Sequence, residues 1–423
     1  MTLNLEEKCI NTIRFLAVDM VEKANSGHPG MPMGAAAMAH TLWSGFLRHN
    51  PANPEWPDRD RFVLSAGHGS ALLYALLHLC GYPLTLEDLR QFRQWGSLTP
   101  GHPEYCHTPG VETTTGPLGQ GLATAVGMAM AERSLAATFN RPGYPLVDHF
   151  TYVIVGDGDL MEGISHEAAS LAGNLKLGKL VCLYDDNHIS IEGDTALTFT
   201  EDRVARFRAY GWQVLEVVDG NDCAAISTAL NAARRELERP TLIAVRTHIG
   251  FGSPAKQDSA SAHGEPLGAE EIMRTKKNLG WPIAESFFVA EEVYANYRKV
   301  KEDGVKAETL WQAMLVAYKQ EFPELEAEWE RRQAGILPVA WESVLPVFPA
   351  DAKGVATRAV SGKVINALAG VLPEMLGGSA DLGPSNKTQI NAAADFAAPD
   401  FAGRNIHFGV REHAMGAVLN GLA

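Results

Sequence analysis

Two stretches of the sequence decide the fold, HFTYVIVGDGD at residues 149–159 and KLVCLYDDN at residues 179–187. Each opens with a run rich in β-branched, aromatic and aliphatic residues, which predicts buried strands at His149–Val155 and Lys179–Asp185. Each run then ends in polar residues, Gly-Asp-Gly in the first stretch and Asp-Asn in the second. A helical pattern at Met161–Asn174 lies between them. The three elements therefore predict one strand–helix–strand unit.

The polar ends of these two strands, Asp157 and Asn187, predict a metal site. They lie thirty residues apart, so both side chains emerge at the same edge of the predicted sheet. A carboxylate, an amide oxygen and a nearby backbone carbonyl give hard oxygen ligands of the kind that Mg²⁺ prefers, and a diphosphate can supply others. Gly156 and Gly158 let the backbone approach phosphate oxygens. Gly-Asp-Gly alone would indicate only a tight turn, but its pairing with Asn187 favours a metal site.

Strand and helix patterns alternate through the first 250 residues. Further strands are predicted at Arg61–Ser65, Trp212–Val218 and Thr241–Arg246, and further helices at Gly69–Cys80, Asp202–Tyr210 and Cys223–Leu237. This alternation predicts an α/β fold in which helices cover both faces of a parallel sheet. Ligands of such sheets bind at the carboxyl ends of the strands, where Asp157 and Asn187 are placed.

The chain is too long for one hydrophobic core, because cores stop growing at about 250–300 residues. We predict a first domain at 1–335, a proline-containing linker at 336–354 and a second α/β domain at 355–423. The first domain would end in a loop at Phe251–Gly268 and a charged helical region at 269–333.

The second domain shows fewer elements than the first. It is predicted to hold a helix to about Leu372, strands at Met375–Gly378 and Asn405–Phe408, and an apolar helical run at Glu412–Ala423 without a capping signal. We expect this domain to be truncated, with unpaired strand edges and an apolar face left uncovered.

Composition narrows the class of partner. The net charge of −14 repels phosphate backbones and anionic lipid, which argues against nucleic acid and membranes as partners. The five cysteines show no pairing framework, so we expect free thiols in a reducing cytoplasm. Residues 1–8 lack the pattern of a signal peptide, and no apolar stretch is long enough to predict a transmembrane helix.

Several motifs occur in one order along the whole chain. They are Ala24–Gly30, Ser65–Ser70, Thr115–Gly121, Gly156–Glu167, His263–Gly264, Gly378–Leu382 and Arg411–Met415. Gly-Asp-Gly followed about thirty residues later by Asn resembles the thiamine diphosphate motif. The wider set resembles the transketolase family. That resemblance implies a diphosphate-binding first domain and a pyrimidine-binding second domain.

The resemblance also implies the roles of individual residues. The metal, Mg²⁺ or in its place Ca²⁺ or Mn²⁺, would be held by Asp157, Asn187 and the carbonyl of Ile189. Thiamine diphosphate would be lined by His68, Gly116, Pro117, Leu118, Gly158, Asn187, His263 and Glu412. The sugar phosphate substrates would meet His28, His102, His263, Arg358, Ser385 and Asp381. The catalytic residues would be Glu412, His28, His102 and His263.

The implied reaction is reversible transfer of a two-carbon ketol group from a ketose phosphate to an aldose phosphate, through a thiamine diphosphate carbanion, in the pentose phosphate pathway or the Calvin cycle. The family acts as a homodimer with its active site at the subunit interface, where Glu412 would touch the aminopyrimidine nitrogen of the partner's cofactor. Alone, Glu412 would be a helix-end acid and Arg358 a solvated helix charge. The histidines lie beside Gly or Pro in predicted loops, where binding sites are often built.

Two features depart from the family pattern. The aromatic clamp for the pyrimidine and further phosphate ligands would lie beyond Ala423, so we expect residues 1–423 alone to be inactive. The segment Lys256–Ala262 is less familiar, and we expect that loop to be shaped differently.

Alternatives are a deoxyxylulose phosphate synthase, a dihydroxyacetone synthase, or a non-catalytic cofactor-binding protein. The three histidines expected to relay sugar hydroxyl protons favour a transketolase.

Overall fold

The computed structural model describes residues 3–283 and 285–423. The first two residues of the N-terminal stretch and Ala284 of the predicted helical region lie outside the described residues. The helices are α1 Leu5–Ala24, α2 Gly30–Gly45, α3 Ser70–Cys80, α4 Leu86–Arg90, α5 Gln120–Phe139, α6 Asp157–Met161, α7 Gly163–Asn174, α8 Arg203–Ala209, α9 Cys223–Arg235, α10 Ala269–Asn278, α11 Glu291–Glu321, α12 Pro323–Gln333, α13 Thr357–Ala369, α14 Gly383–Asn386 and α15 Glu412–Leu422. The strands are β1 Arg61–Leu64, β2 Thr151–Gly156, β3 Leu180–Asp186, β4 Ile189–Ser190, β5 Gly193–Asp194, β6 Gln213–Val217, β7 Thr241–Arg246, β8 Gly377–Ser379 and β9 Asn405–His407.

A five-stranded parallel sheet in the order β1-β2-β3-β7-β6 forms the centre of the first domain. In the register of β2 and β3, Gly156 lies opposite Asp185. The residues that follow these two strands therefore meet at one edge of the sheet. This arrangement confirms the predicted α/β class with a parallel sheet.

Both faces of the sheet are buried under helices. Alternate residues of β2 separate to the two sides, so that Ile154 packs with α1, α2, α3 and α9 while Val153 and Val155 pack with α5 and α7. A strand that is buried on both faces has no polar alternation. This burial explains why the strands are continuous apolar runs in the sequence.

Some predicted boundaries are wrong. The helix predicted at Met161–Asn174 begins two residues later, as α7 at Gly163, because Glu162 has an extended backbone with φ −63° and ψ 136° that separates it from the short helix α6. The strand predicted at His149–Val155 begins two residues later and ends at Gly156. The predicted loop Phe251–Gly268 contains a 3₁₀ turn at Ala260–Ala262, which directly precedes His263.

The second α/β pattern contributes α13, α14, α15 and a two-stranded parallel sheet of β8 and β9. Helix α15 packs on α5 and α7, with Ala414, Ala417 and Val418 buried among residues of those helices. The expected uncovered apolar face is therefore wrong for this helix. Across the described ranges, every helix falls short of the length or the hydrophobicity that a membrane crossing requires.

The cap of α15 comes from elsewhere in the chain. The backbone N–H of Ala414 donates to Oε2 of Glu167 on α7 at 2.8 Å, and Nη2 of Arg411 donates to Oγ of Ser170 at 3.0 Å. A carboxylate at a helix N-terminus satisfies free N–H groups and interacts favourably with the helix dipole. The absence of a local capping signal in the sequence is thus explained by a tertiary cap.

Candidate functional site

Asp157 and Asn187 meet at the carboxyl edge of the sheet. Asp157 opens α6 directly after β2, and Asn187 directly follows β3; both are buried. Oδ2 of Asp157 accepts the backbone N–H of His188 at 3.1 Å, which places its carboxylate beside the residue that follows Asn187. Oδ1 of Asp157 accepts a hydrogen bond from the hydroxyl of Tyr184. The carboxylate of Asp157 therefore contacts the segment that carries Asn187, at the edge of the sheet where both residues were predicted.

The donor set at this edge fits a hard divalent cation. Nδ2 of Asn187 donates to Oδ2 of Asp185 at 2.9 Å, while its Oδ1 faces the backbone N–H of Ile189 at 2.9 Å. Burial raises the pKa of Asp157 above its ordinary value, a penalty that a nearby cation would offset. Among the described residues no three His, Cys, Asp or Glu side chains are grouped to hold a metal. A metal here would thus rest on carboxylate, amide and backbone oxygens, as Mg²⁺ prefers.

The loop at residues 116–118, which we call the cradle, borders this edge. A β-carbon on Gly158 would lie 2.8 Å from Cδ1 of Leu118, and one on Gly67 would lie 2.8 Å from the backbone nitrogen of Gly116. A side chain at Gly67 would clash with this backbone, and one at Gly158 would require the Leu118 side chain to shift. The predicted cofactor residues 116–118 therefore lie against Gly158 on one side and against the turn that carries His68 on the other.

Three of the predicted histidines form one cluster, which we call the histidine cluster: His28, His68 and His263. Their ring centroids lie 5.1 Å apart for the first pair, 5.2 Å for His68 and His263, and 5.6 Å for His28 and His263. The ring of His102 is next to the cradle, 3.4 Å from the position of a β-carbon on Gly116. Residues separated by more than two hundred positions are thus brought together, as the loop placement predicted.

The histidine cluster is electrostatically unusual. Burial, with the neighbouring His263, Arg93 and His102 acting in the same direction, lowers the pKa of His28 to about 4. Burial also lowers the pKa of His68, with the neighbouring imidazoles acting in the same direction, and it lowers the pKa of His263. Nδ1 of His263 is buried without a hydrogen-bond partner in the described chain. The rings are therefore neutral at pH 7, and the cluster retains a polar atom for a ligand.

Arg93 is a site residue that the sequence did not reveal. Its Nη1 donates to Oγ of Ser26 at 3.0 Å and its Nη2 lies 3.5 Å from Nδ1 of His28. Its backbone is left-handed, with φ +61°, and its buried Nε has no partner in the described chain. It lies in the segment Gln-Phe-Arg-Gln-Trp, which matches none of the motifs, so no sequence signal pointed to it.

The predicted residues of the second domain occupy its surface. Arg358 is the second residue of α13, as expected, Ser385 lies in α14, and Asp381 precedes α14 with φ +60°. All three are exposed, and in the part of the chain that the structure describes no hydrogen bond or ion pair joins them to the histidine cluster. The structure does not bring these three together with the first-domain site.

Glu412 is exposed at the first position of α15. The next residue, His413, receives a hydrogen bond at 2.8 Å from Nε2 of Gln120, the first residue of α5. Gln120 directly follows the loop that contains Leu118 and Gly119. The start of α15 therefore borders the cradle, while the exposed carboxylate of Glu412 makes no hydrogen bond or ion pair with the residues that the structure describes.

Comparisons with known proteins agree with this geometry. Residues 5–338 match the family "Transketolase, thiamine diphosphate binding domain", and residues 353–423 match "Transketolase, pyrimidine binding domain". The chain is 59% identical to a transketolase of Geobacillus stearothermophilus and 54% identical to the chloroplastic transketolase of Zea mays. Each match covers 100% of this chain and 63% of the relative, so the chain spans less than two thirds of their length.

Solved structures give the same result. A transketolase of Pichia stipitis in complex with sedoheptulose 7-phosphate matches with a TM-score of 0.97 and 50% identity, over 99% of this chain and 63% of that one. A transketolase of Leishmania mexicana matches with a TM-score of 0.96 and 48% identity, over 100% and 63% of the two chains. The sequence motifs, the parallel sheet and both domain matches agree, and the chain belongs to the transketolase family.

Proposed function

We propose that the protein is a transketolase, which transfers a two-carbon ketol group from a ketose phosphate to an aldose phosphate in the pentose phosphate pathway. The observation that carries this proposal is the cluster of neutral imidazoles beside the metal edge of the sheet. A sugar substrate offers several hydroxyl groups, and neutral imidazoles can both donate to them and accept from them. The free cysteines support a reducing compartment, which we propose is the cytoplasm.

The proposed cofactor is thiamine diphosphate with Mg²⁺, Ca²⁺ or Mn²⁺. The metal would be held by Asp157, Asn187 and the carbonyl of Ile189, and its charge would neutralise the diphosphate. The diphosphate would be held by Gly116, Pro117, Leu118 and Gly158, and His68 and His263 would also line the cofactor. When bound, the cofactor supplies the electron sink for breaking a carbon–carbon bond. The first-domain family match supports this assignment.

The proposed substrate residues hold and move protons. His28, His102 and His263 would bind the sugar hydroxyl and carbonyl oxygens, because their lowered pKa values keep each ring able to accept a proton at pH 7. Arg358, Ser385 and Asp381 would recognise the phosphate end. A planar guanidinium at the start of α13 suits a phosphate, since a helix N-terminus favours anions.

The proposed assembly is a homodimer. Glu412 is exposed and lies one residue from the contact with Gln120, which supports the proposal that its carboxylate reaches across to a second copy. There it would share a proton with the pyrimidine ring of the partner's cofactor. The requirement for a second copy would explain why Glu412 has no hydrogen bond to the described part of its own chain.

The test is a coupled assay of ketol transfer from a ketose phosphate to ribose 5-phosphate, with light scattering for mass. It compares residues 1–423 with the same chain joined to the part of the Geobacillus stearothermophilus relative that lies outside the match. We expect a dimeric, active joined chain and no turnover from residues 1–423. An inactive joined chain, beside an active relative, would contradict the proposed function. Robust turnover by residues 1–423 would contradict the assignment of site residues to the unmatched part.

A further inference from the structure

The carboxylate of Asp159 is buried at the centre of the cofactor site, although no role follows for it from the metal or the substrate. It is the third residue of α6 and its solvent exposure is 0%. Oδ1 accepts the hydroxyl of Ser65 at 2.7 Å and the backbone N–H of Gly119 at 2.8 Å, and Oδ2 accepts the backbone N–H of Gly156 at 2.8 Å. All three donors are neutral groups.

The three donors belong to three different segments of the site. Ser65 directly follows β1, Gly119 directly follows the cradle residues 116–118, and Gly156 ends β2 beside Asp157. The hydroxyl oxygen of Ser65 also accepts the backbone N–H of Leu122 at 3.1 Å, which ties the first turn of α5 to the same point. One carboxylate therefore joins the segment that would bind the metal to the segment that would bind the diphosphate.

The chemistry of these bonds requires an acceptor on both oxygens. The N–H groups of Gly119 and Gly156 meet different oxygens of Asp159, and a backbone N–H cannot reverse its direction. An asparagine presents one oxygen and one NH₂ group. Whichever way the amide of Asp159→Asn turns, its NH₂ group would face a backbone donor, and the cradle or the end of β2 would have to move.

We propose that Asp159 is a positioning residue that sets the spacing between the diphosphate cradle at 116–118 and the metal ligand Asp157. This inference rests on the proposed cofactor function of the site. When a residue that holds a metal ligand in position is removed, the affinity of the site commonly falls by about 10–100-fold.

A matched control distinguishes positioning from general stability. Asp60 is also buried, and it also accepts two backbone N–H groups on different oxygens, from Arg48 on Oδ2 and from Phe150 on Oδ1, both at 2.8 Å. It precedes β1, at the amino end of the same sheet. Asp60→Asn therefore introduces the same defect far from the cradle.

The experiment uses residues 1–423 as wild type, Asp159→Asn, Asp60→Asn and Ser65→Ala. Calorimetry measures the affinity for thiamine diphosphate and for inorganic pyrophosphate at saturating Mg²⁺, and urea titration measures the free energy of unfolding. We expect Asp159→Asn to weaken both ligands by about 10-fold or more, and Asp60→Asn to change them less than about twofold while destabilising the chain. Ser65→Ala, which keeps the carboxylate, should weaken binding by about threefold and provides the result if Asp159→Asn does not fold.

The outcomes separate the inference from the proposed function. Absence of thiamine diphosphate binding by the wild type would contradict the proposed cofactor site itself. Wild-type binding with unchanged affinity in Asp159→Asn, or in Ser65→Ala should the first variant not fold, would overturn only the positioning role. An equal loss of affinity in Asp60→Asn would also overturn it, because the effect would then follow stability alone.

Discussion

The two ends of the central sheet treat buried polar groups in opposite ways. At the amino end, charged groups are paired within the chain: Nζ of Lys179 lies 2.6 Å from both Glu132 and Asp148, and Nη2 of Arg48 lies 2.8 Å from Asp58. At the carboxyl end Asp186 is paired with Arg203, but the imidazoles of the histidine cluster and the guanidinium of Arg93 lie together without a carboxylate partner in the described chain. The carboxylate of Asp157 likewise has no basic group within ion-pair distance among the described residues.

This difference indicates that the amino end of the sheet contributes to stability and that the carboxyl end is suited to a ligand. A buried polar group without an internal partner costs free energy, so a cluster of them persists where a ligand supplies the partner. The amino end also contains several unpartnered buried atoms, among them Nδ1 of His149, Oγ1 of Thr151 and Nε2 of His49, but they belong to dispersed side chains. The His49 ring, for example, keeps one fixed partner, since its Nδ1 lies 2.9 Å from the hydroxyl of Tyr82. The two ends thus differ in whether such polar groups are clustered, and four substitutions test this difference.

The largest effect is expected at the carboxyl end. We predict that Asp157→Ala weakens Mg²⁺-dependent binding of thiamine diphosphate by roughly a thousandfold, several kcal/mol, because the diphosphate loses its counter-ion. Calorimetric titration with and without a chelator measures it. Asp148→Ala is the control, since that carboxylate lies at the amino end with its side chain 56% exposed. Unchanged affinity in Asp157→Ala would remove the metal assignment.

At the amino end the expected effect is on stability. We predict that Lys179→Met lowers the free energy of unfolding by about 3–5 kcal/mol, because the buried carboxylate of Glu132 loses its close cation and keeps only Arg133, whose Nε lies 4.0 Å away. Asp148→Ala removes only the exposed partner and should cost less than about 1 kcal/mol. Urea titration measures both, and cofactor affinity should not change. A Lys179→Met variant as stable as wild type would show that the amino end is not stabilised by this pair.

A third prediction concerns pH. Burial lowers the pKa of His49 to about 4, below the value of about 6.5 expected in the unfolded chain. The unfolded state therefore binds more protons, so this ring's contribution to stability is lost as the pH falls from 6.5 towards 4.

We expect the stability difference between wild type and His49→Gln to shrink by about 2 kcal/mol between pH 7 and about pH 4.5. Taking this difference cancels the buried carboxylates such as Asp60, whose pKa is raised to about 6 by burial and which act in the opposite direction. Urea titrations of both proteins across this range measure it. A difference that does not vary with pH would contradict a neutral buried His49.

The smallest effect is expected at Arg93. Replacing its guanidinium by a neutral amide, in Arg93→Gln, removes a positive charge 3.5 Å from His28. The pKa of His28 should rise by about 0.5–1, since unit charges about 4 Å apart interact by ~1 kcal/mol in water-like surroundings. Histidine NMR across a pH titration measures it, and Arg93→Lys should stay near wild type. Equal midpoints in all three proteins would show that burial alone keeps His28 neutral.

Much of this architecture could be predicted because it follows from hydrophobic and polar patterns within short segments of the sequence. The continuous apolar runs of β2 and β3 and the polar residues after them predicted both the sheet and the edge at which Asp157 and Asn187 lie. Helix α2 was not predicted, because every residue from Gly30 to Trp43 is buried and such a helix has no polar face to give it a period.

The site was predictable only where motifs carried it. His28, His68 and His263 lie in Gly- or Pro-containing motifs, and the structure brings them together. Arg93 belongs to no motif, and its position depends on a left-handed backbone and on tertiary contacts. The spacing of Asp159 from its three donors is likewise a property of three loops that no single segment encodes.

Helix α15 follows β9 of the second domain in the chain, but it packs on α5 and α7 of the first domain. It is fixed by the cap from Glu167, and it approaches α5 so closely that a β-carbon on Gly127 would lie 2.1 Å from the carbonyl oxygen of Val418. Residues 349–358, by contrast, are exposed or lie at the start of α13. A protease that nicks this connection would leave two pieces that still migrate as one particle. The segment to which α15 is covalently connected is therefore not the segment whose packing holds it in place.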